Sequence, residues 1–204
     1  MLVLSHRGFW NNPCEKNTKT AFERSFSLGF GTETDLRDLA GKIVISHDTP
    51  RGDEMSFSEF LTIFCKYNKD LPLALNIKSD GIHSEIKKAL DVLDIQNYFV
   101  FDMSIPDTIG YFKNDLKYFL RESEYERIYD NELYQNCQGI WMDCFKSDWI
   151  EKSDIELHLE NGKKVCIVSP DLHEREYLTT WRKYKNMNFV DNNVMLCTDY
   201  PKLF

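Results

Sequence analysis

Residues 2–36 read LVLSHRGFWNNPCEKNTKTAFERSFSLGFGTETDL and contain two short strand-like runs separated by an amphipathic stretch. The runs at residues 2–4 and 31–36 have the length of buried strands. Between them, Asn17 or Thr18 is placed to cap a helix that ends at Leu28, with Gly29 as its stop. Because a helix that connects two neighbouring strands makes them parallel, this stretch predicts the first unit of a parallel sheet.

The same alternation continues along the rest of the chain. Further strands are predicted at residues 73–77, 98–102, 117–120, 139–143, 164–168 and 194–197, which makes eight in total. A run at residues 42–46 closely follows Ala40-Gly41 and predicts the return arm of a hairpin on the second strand. Helical patterns are predicted at residues 56–65, 83–93, 105–112, 124–134, 147–159 and 173–184.

Eight strands that alternate with helices in 204 residues predict an α/β fold, a (β/α)8 TIM barrel. No linker, repeat or low-complexity tract divides residues 1–204, so we expect a single domain. Only six residues follow Thr198, which leaves no room for the last outer helix. We therefore expect the barrel to be incompletely covered there, and a homo-oligomer would provide a cover from a partner subunit.

The composition argues against several classes of protein. A hydrophobic content of 42% and a charged content of 28% are typical of a soluble globular protein. The net charge of −8 argues against a nucleic-acid partner, because a phosphate backbone requires a basic surface. We find no signal peptide and no transmembrane segment, and the six cysteines form no C-x-x-C pair. Reduced thiols and a cytoplasmic location are the expectation.

Polar residues cluster where the first three predicted strands end, which is the catalytic face of an α/β barrel. Glu33 and Asp35 are two positions apart on one strand, so their side chains point to the same face. The other members of the cluster are His6, Arg7, His47, Asp48, Asn76 and Lys78. Paired carboxylates are ligands that Mg²⁺ or Ca²⁺ prefers, cations favour a phosphate, and two histidines favour acid and base catalysis.

Polar residues also follow the later strands. Arg121 comes after the fifth predicted strand, and His173 lies in the loop after the seventh. We predict that both contact the substrate, and an exposed loop position is the alternative for each. Asp143 ends the sixth predicted strand.

Four motifs, in this order and at these spacings, resemble the signature of the glycerophosphodiester phosphodiesterases. They are Ser5-His6-Arg7-Gly8, Asn17-Thr18-x-x-Ala21-Phe22, Glu33-Thr34-Asp35 and Ser46-His47-Asp48. The ending Thr198-Asp199-Tyr200-Pro201 also resembles that family, whereas the region between residue 80 and this ending shows little likeness beyond the strand rhythm. The resemblance implies a barrel of the phospholipase C-like phosphodiesterase type. It also implies a phosphoric diester hydrolase that uses a divalent cation to cleave a small phosphodiester substrate.

The resemblance assigns a role to each matching residue. It implies that His6 and His47 are the catalytic acid and base. Glu33 and Asp35 would ligate the metal, and the phosphate would be bound by Arg7 and Lys78. In the usual mechanism of the family, a neighbouring hydroxyl of the substrate attacks phosphorus and forms a cyclic phosphate, which water then opens.

The sequence departs from the family pattern in three places. The third metal ligand of the family is usually a carboxylate two residues before the lysine, where this chain has Asn76. The family's Pro-Glu-Asn-Thr run is interrupted here, which puts the role of Glu15 in doubt. Only 28 residues separate His47 from Asn76, so the segment that caps the site in the family is reduced and specificity for glycerol is in question.

Two alternative functions use the same residues. Barrels that resemble sphingomyelinase D share the two histidines and the Glu-x-Asp pair, and they stop at the cyclic phosphate, so the chain could be a lyase of that kind. A non-catalytic binding protein descended from the family is the second alternative. It is supported by Asn76 and the interrupted Pro-Glu-Asn-Thr run, and the retained histidines, Arg7 and Lys78 argue against it.

Overall fold

The computed structural model describes residues 1–189 and 192–204, and these ranges contain nine β-strands and seven α-helices. The strands are β1 (Leu2–His6), β2 (Gly31–Leu39), β3 (Lys42–Ile45), β4 (Leu73–Ile77), β5 (Tyr98–Phe101), β6 (Phe119–Glu122), β7 (Gly139–Met142), β8 (Lys164–Val168) and β9 (Val194–Thr198). The helices are α1 (Lys19–Ser27), α2 (Phe57–Phe64), α3 (His83–Val92), α4 (Ile105–Lys113), α5 (Glu132–Asn136), α6 (Lys152–Glu160) and α7 (Leu178–Asn186). Two short 3-10 helices span Pro13–Glu15 and Pro170–His173.

Eight of the strands are parallel and lie in the order β5-β4-β2-β1-β9-β8-β7-β6. The two end strands meet where Val100 pairs with Tyr118, and the N–H of Val100 donates to the carbonyl of Lys117 at 2.9 Å. The sheet therefore closes almost completely into the predicted TIM barrel. The predicted hairpin is also present, because β3 pairs antiparallel with β2 across the turn Ala40-Gly41.

The strands separate two apolar layers. The side chains inside the barrel include Phe99 stacked on Phe119 at 3.7 Å and Phe101 stacked on Trp141 at 3.9 Å between ring centroids. A larger layer packs the other strand faces against the helices. Strand side chains alternate between the two faces, so every second one points into the barrel. The inward-pointing side chains nearest the carboxyl ends of the strands therefore line the mouth of the barrel.

The predictions for the second half of the chain were partly wrong. The fifth barrel strand, predicted at residues 117–120, is β6 and lies two residues later, so Arg121 is within it. The helix predicted at residues 124–134 is replaced by a loop and the short α5. The physical reason is that the Glu124 carboxylate accepts hydrogen bonds from the N–H groups of Phe145, Lys146 and Ser147, which holds this loop against the next one.

Two further helices begin later than predicted. Helix α6 begins at Lys152, where Glu151 and Asp154 form reciprocal caps, and α7 begins at Leu178 after the 3-10 helix Pro170–His173. The residues described after β9 contain no further helix. Residues 201–203 form a turn, and the ring of Phe204 packs edge-on against Trp181. None of the described helices is both long and apolar enough to cross a membrane.

Candidate active site

The mouth of the barrel brings together polar side chains from three neighbouring strands. His6 at the end of β1 is in register with Glu33 on β2, and Asp35 on β2 is in register with Asn76 on β4. Glu33, Asp35 and Asn76 are buried. The polar side chains predicted at the ends of the first three barrel strands therefore lie next to one another.

Asp35 is the centre of this polar cluster. Its Oδ2 atom lies 2.9 Å from Nε of Arg7, and its Oδ1 atom lies 3.6 Å from Nζ of Lys78. The amide of Asn17 donates to the same Oδ2 atom at 2.9 Å. The two predicted phosphate-binding cations thus flank one buried carboxylate, and both side chains are partly exposed towards the mouth.

Asn17 was missed as a site residue because the sequence interpretation assigned it to the helix start. Of the two predicted caps, Asn17 and Thr18, the structure has Thr18, whose side chain accepts from the N–H of Ala21. Asn17 instead has a positive φ of 60°, and its carbonyl oxygen Oδ1 accepts from the hydroxyl of Thr34. Its place as the first residue of the family-like motif Asn17-Thr18-x-x-Ala21-Phe22 was the available signal.

Glu33 lies below Asp35 in the barrel. The backbone N–H of Arg7 donates to its Oε2 atom at 3.2 Å, and Nε2 of His6 is 3.9 Å from the same atom. Burial, together with the negative charge of Asp35, raises the pKa of Glu33 to about 8. Without a cation, burial therefore favours the protonated form of Glu33 at neutral pH.

His6 has a partner that the sequence interpretation did not assign to the site. Its Nδ1 atom is 2.7 Å from Oδ1 of Asp199, and Nζ of Lys16 is 3.3 Å from the other oxygen of that carboxylate. Burial lowers the pKa of His6, and the bond to Asp199 opposes this effect. Asp199 belongs to the family-like ending, which was the signal that could have identified it.

The oxygen atoms of this cluster fit a hard cation. Asp35 Oδ1 and Asn76 Oδ1 are buried and accept no hydrogen bond from the described residues. In residues 1–189 and 192–204, no three or more His, Cys, Asp or Glu side chains form a group that could hold a metal ion. The candidate set consists of two carboxylates and one amide, Glu33, Asp35 and Asn76. All three are oxygen donors of the kind that Mg²⁺ and Ca²⁺ prefer.

His47 occupies a more open position than His6. Its side chain is 47% exposed, and Nδ1 is 2.8 Å from Oδ1 of Asp48. The carbonyl of His47 accepts from Nε of Arg37 at 3.0 Å, which ties its loop to β2. His47 lines a cleft of about 650 Å³ together with Arg7 and Lys16. The structure therefore places it on the same side of the mouth as the predicted phosphate-binding arginine.

Arg121 and His173 lie on the other side of the mouth. Arg121 is held between Asp102, at 3.3 Å, and Glu126, at 2.5 Å, and it lines a cleft of about 570 Å³ with Lys78. Nε2 of His173 is 2.6 Å from Oδ1 of Asp143. Both predicted substrate contacts therefore already have carboxylate partners. Of the two, Arg121 lines the same cleft as Lys78.

Glu15 is not part of this cluster. Its carboxylate is 2.8 Å from Nη1 of Arg24 and accepts from the N–H of Asn11. The bond from Arg24 lowers the pKa of Glu15, so the side chain remains an acceptor that fixes this loop. The interruption of the Pro-Glu-Asn-Thr run has left this glutamate in a structural position.

Comparisons with known proteins rest on structure, since no family model and no curated protein matches this sequence. A glycerophosphodiester phosphodiesterase from Parabacteroides distasonis has a TM-score of 0.76 and 13% identity, with 99% of this chain and 94% of that chain covered. An Oleispira antarctica phosphodiesterase in complex with the product sn-glycerol-3-phosphate has a TM-score of 0.72 and 15% identity, with 98% and 94% covered. The Agrobacterium tumefaciens glycerophosphodiester phosphodiesterase has a TM-score of 0.73 and 14% identity, with 100% and 98% covered. This chain therefore has the fold of the solved glycerophosphodiester phosphodiesterases.

Proposed function

We propose that this protein is a metal-dependent phosphodiesterase that cleaves a glycerophosphodiester or a related polyol or sugar phosphodiester. The observation that carries the proposal is the cluster around Asp35. One buried carboxylate contacts two cations, Arg7 and Lys78, and next to it lie the uncompensated oxygen of Asn76 and the second carboxylate of Glu33. This combination suits a divalent cation and a phosphate bound side by side.

Glu33, Asp35 and Asn76 would hold the metal, which we expect to be Mg²⁺ or Ca²⁺. When bound, such an ion acts as a Lewis acid and stabilises negative charge on the phosphate oxygens. Burial raises the pKa of Glu33 to about 8, so this carboxyl would have to lose its proton to serve as a ligand. Because Asn76 contributes no charge, we expect weak metal binding that the substrate phosphate strengthens.

The chain's own residues provide binding and proton transfer. The planar guanidinium of Arg7 can bind two phosphate oxygens, and Lys78 supplies a second positive charge from the opposite side of Asp35. His6 and His47 would exchange protons with the attacking hydroxyl and the leaving oxygen. Asp199 is a positioning residue. It binds Nδ1 of His6 and leaves Nε2, which lies 3.9 Å from Oε2 of Glu33, as the ring nitrogen for proton transfer.

The alternatives concern the product. A lyase of the sphingomyelinase D kind would release the cyclic phosphate, whereas a hydrolase would yield a linear monoester. A cytoplasmic location belongs to the proposal, because reducing conditions there keep thiols such as the buried Cys166 and Cys197 unpaired.

The decisive experiment incubates the purified protein with a glycerophosphodiester and Mg²⁺ or Ca²⁺, and follows the products by phosphorus NMR. We expect turnover that chelation abolishes and added metal restores. Asp35→Asn should lose most of the activity and the metal affinity measured by calorimetry. Asp38→Asn, an exposed carboxylate on the same strand, is the matched control and should retain both. Full activity in excess chelator would contradict metal dependence, and metal binding without turnover of any diester would favour a binding protein.

A further inference from the structure

An apolar groove adjoins the mouth of the barrel. It has a volume of about 380 Å³ and lies between α4 and the loop at residues 123–131. Its apolar lining consists mainly of Met103, Ile105, Tyr125, Ile128, Tyr129 and Leu133. Ligand pockets commonly have volumes of about 300–1,000 Å³, so the groove is large enough to hold part of a small molecule.

The groove is continuous with the proposed phosphate site. It shares Asp102, Ile105 and Arg121 with the cleft of about 570 Å³ that Lys78 lines. A substrate whose phosphate contacts Lys78 can therefore extend past Arg121 into the groove. None of the residues that line the groove or this cleft belongs to the reduced segment between His47 and Asn76.

Three large apolar side chains around the groove are unusually exposed. The exposed fraction is 63% for Ile105, 62% for Tyr125 and 75% for Tyr129. Scattered exposed apolar residues are common on protein surfaces, but a cluster of them beside a binding cleft is typical of an interaction site. An apolar occupant would remove these side chains from water.

The charged residues of the groove already have partners. Arg121 pairs with Asp102 and Glu126, and Arg127 lies 3.5 Å from Glu122. A charged ligand group would have to displace one of these partners. The groove therefore favours a neutral occupant, and its four aliphatic side chains and Met103 outnumber its three aromatic ones.

We propose that this groove binds an aliphatic chain carried by one alcohol of the substrate, an inference that rests on the phosphodiesterase function proposed above. The substrate class is then a phosphodiester with glycerol or a similar polyol on one side and an alkyl-bearing alcohol on the other. The polyol half provides the attacking hydroxyl, and the chain provides affinity.

The test uses ethyl, butyl, octyl and 2-phenylethyl esters of glycerol phosphate, which share the reactive half and all release a primary alcohol, at concentrations below micelle formation. A fully buried methylene contributes up to roughly fourfold in affinity. We expect kcat/KM to rise at least tenfold from the ethyl to the octyl ester. Ile105→Ser and Tyr129→Ser should reduce the octyl-to-ethyl ratio, and together they should abolish the preference. Leu157→Ser, which alters an exposed leucine on α6 away from the groove, should retain the ratio.

A second measurement does not depend on turnover. Calorimetry with octyl phosphate and ethyl phosphate, in the presence of Mg²⁺, should show tighter binding of octyl phosphate to the wild type, and Ile105→Ser/Tyr129→Ser should remove the difference. Hydrolysis of all esters at equal rates, or a preference for the 2-phenylethyl ester, would overturn the aliphatic assignment while the phosphodiesterase function stands. If no ester is cleaved and octyl phosphate still binds tighter, the chain site stands and the proposed function fails. Equal binding of both phosphates would overturn the chain site in either case.

Discussion

The carboxylate of Asp199 lies 2.7 Å from Nδ1 of His6, although the two residues are 193 positions apart in the chain. Strands β1 and β9 are neighbours in the barrel, and this pairing brings His6, the last residue of β1, next to Asp199, the residue that follows β9. Nζ of Lys16 is 3.3 Å from the other carboxylate oxygen. Burial opposes ionisation of Asp199, but the bond from His6 and the charges of His6 and Lys16 hold its pKa below the ordinary value.

Two substitutions around His6 should move its pKa in opposite directions. Asp199→Asn removes a group that raises the pKa of His6, so this pKa should fall further below 6.5. Lys16→Met removes a cation that lowers it, so the pKa should rise. NMR titration of the His6 ring at constant metal concentration checks both shifts. We also expect Asp199→Asn to reduce kcat about tenfold or more, because the ring loses the partner that fixes its tautomer. Shifts of the same sign would contradict this arrangement.

Metal binding should release a proton at neutral pH. The pKa of Glu33 is raised to about 8, so this carboxyl is mostly protonated at pH 7 and must ionise to ligate a cation. Apparent affinity for Ca²⁺ or Mg²⁺ should therefore increase as the pH rises and level off above about 8. Calorimetry in two buffers with different ionisation enthalpies measures the number of protons released. Glu33→Gln should abolish this release, and an unchanged count in that variant would place the proton on another group.

Asn76→Asp should strengthen metal binding in the absence of substrate, because a third negative charge then faces the cation. Without metal the same variant should be less stable than the wild type, since the new carboxylate lies near the buried Asp102, whose pKa burial already raises. In the wild type, apparent metal affinity should increase as substrate is added. Thermal unfolding and calorimetry with and without Ca²⁺ measure these effects. Asn186→Asp, exposed at the end of α7, is the matched control. Equal metal affinity in the wild type and Asn76→Asp would show that Asn76 is not a ligand.

The histidine pair should behave as one catalytic unit. If His6 and His47 serve as base and acid, one must be neutral and the other protonated, so the rate should depend on pH as a bell-shaped curve around neutrality. Each alanine variant should lose roughly 10²–10⁴-fold in kcat, and the double variant should lose little more. Steady-state kinetics on the three variants tests this expectation. If the fold-loss in kcat of the double variant equalled the product of the two single losses, the histidines would not act in one step.

Gly8 should be irreplaceable for a steric reason. It has φ of +82°, and an added Cβ would lie 2.8 Å from Cβ of Ala21 and 2.9 Å from its carbonyl carbon. Gly29 has a similar φ of +78° but no atom within 4 Å of an added Cβ. Gly29→Ala should therefore cost about 1–2 kcal/mol from backbone strain alone. Gly8→Ala should lower the free energy of unfolding by more than that, as measured by urea denaturation. If both variants lost the same free energy of unfolding, helix α1 would be free to shift away from the loop that contains Gly8.

The sequence by itself determined the features that depend on short-range spacing. The alternation of strands and helices predicted the eight barrel strands, and the hairpin was predicted from Ala40-Gly41. The two-residue spacing of Glu33 and Asp35 placed both on one face, because side chains of a strand alternate. Since parallel strands end at the same edge of the barrel, Arg7, Asp35 and Lys78 could be expected to lie together, and they do.

Only the tertiary structure decided the contacts between distant segments. The bond from Asp199 to His6 depends on the closure of the barrel, and no local pattern records which strands become neighbours. Residues 124–131 carry a helical pattern, but the hydrogen bonds that Glu124 forms to the loop after β7 outweigh this weak local preference. Arg121 likewise resembled a free substrate contact until the fold placed Asp102 and Glu126 on either side of it. Periodicity sets which face of an element a side chain occupies, whereas the partner that it meets there is set by packing between elements.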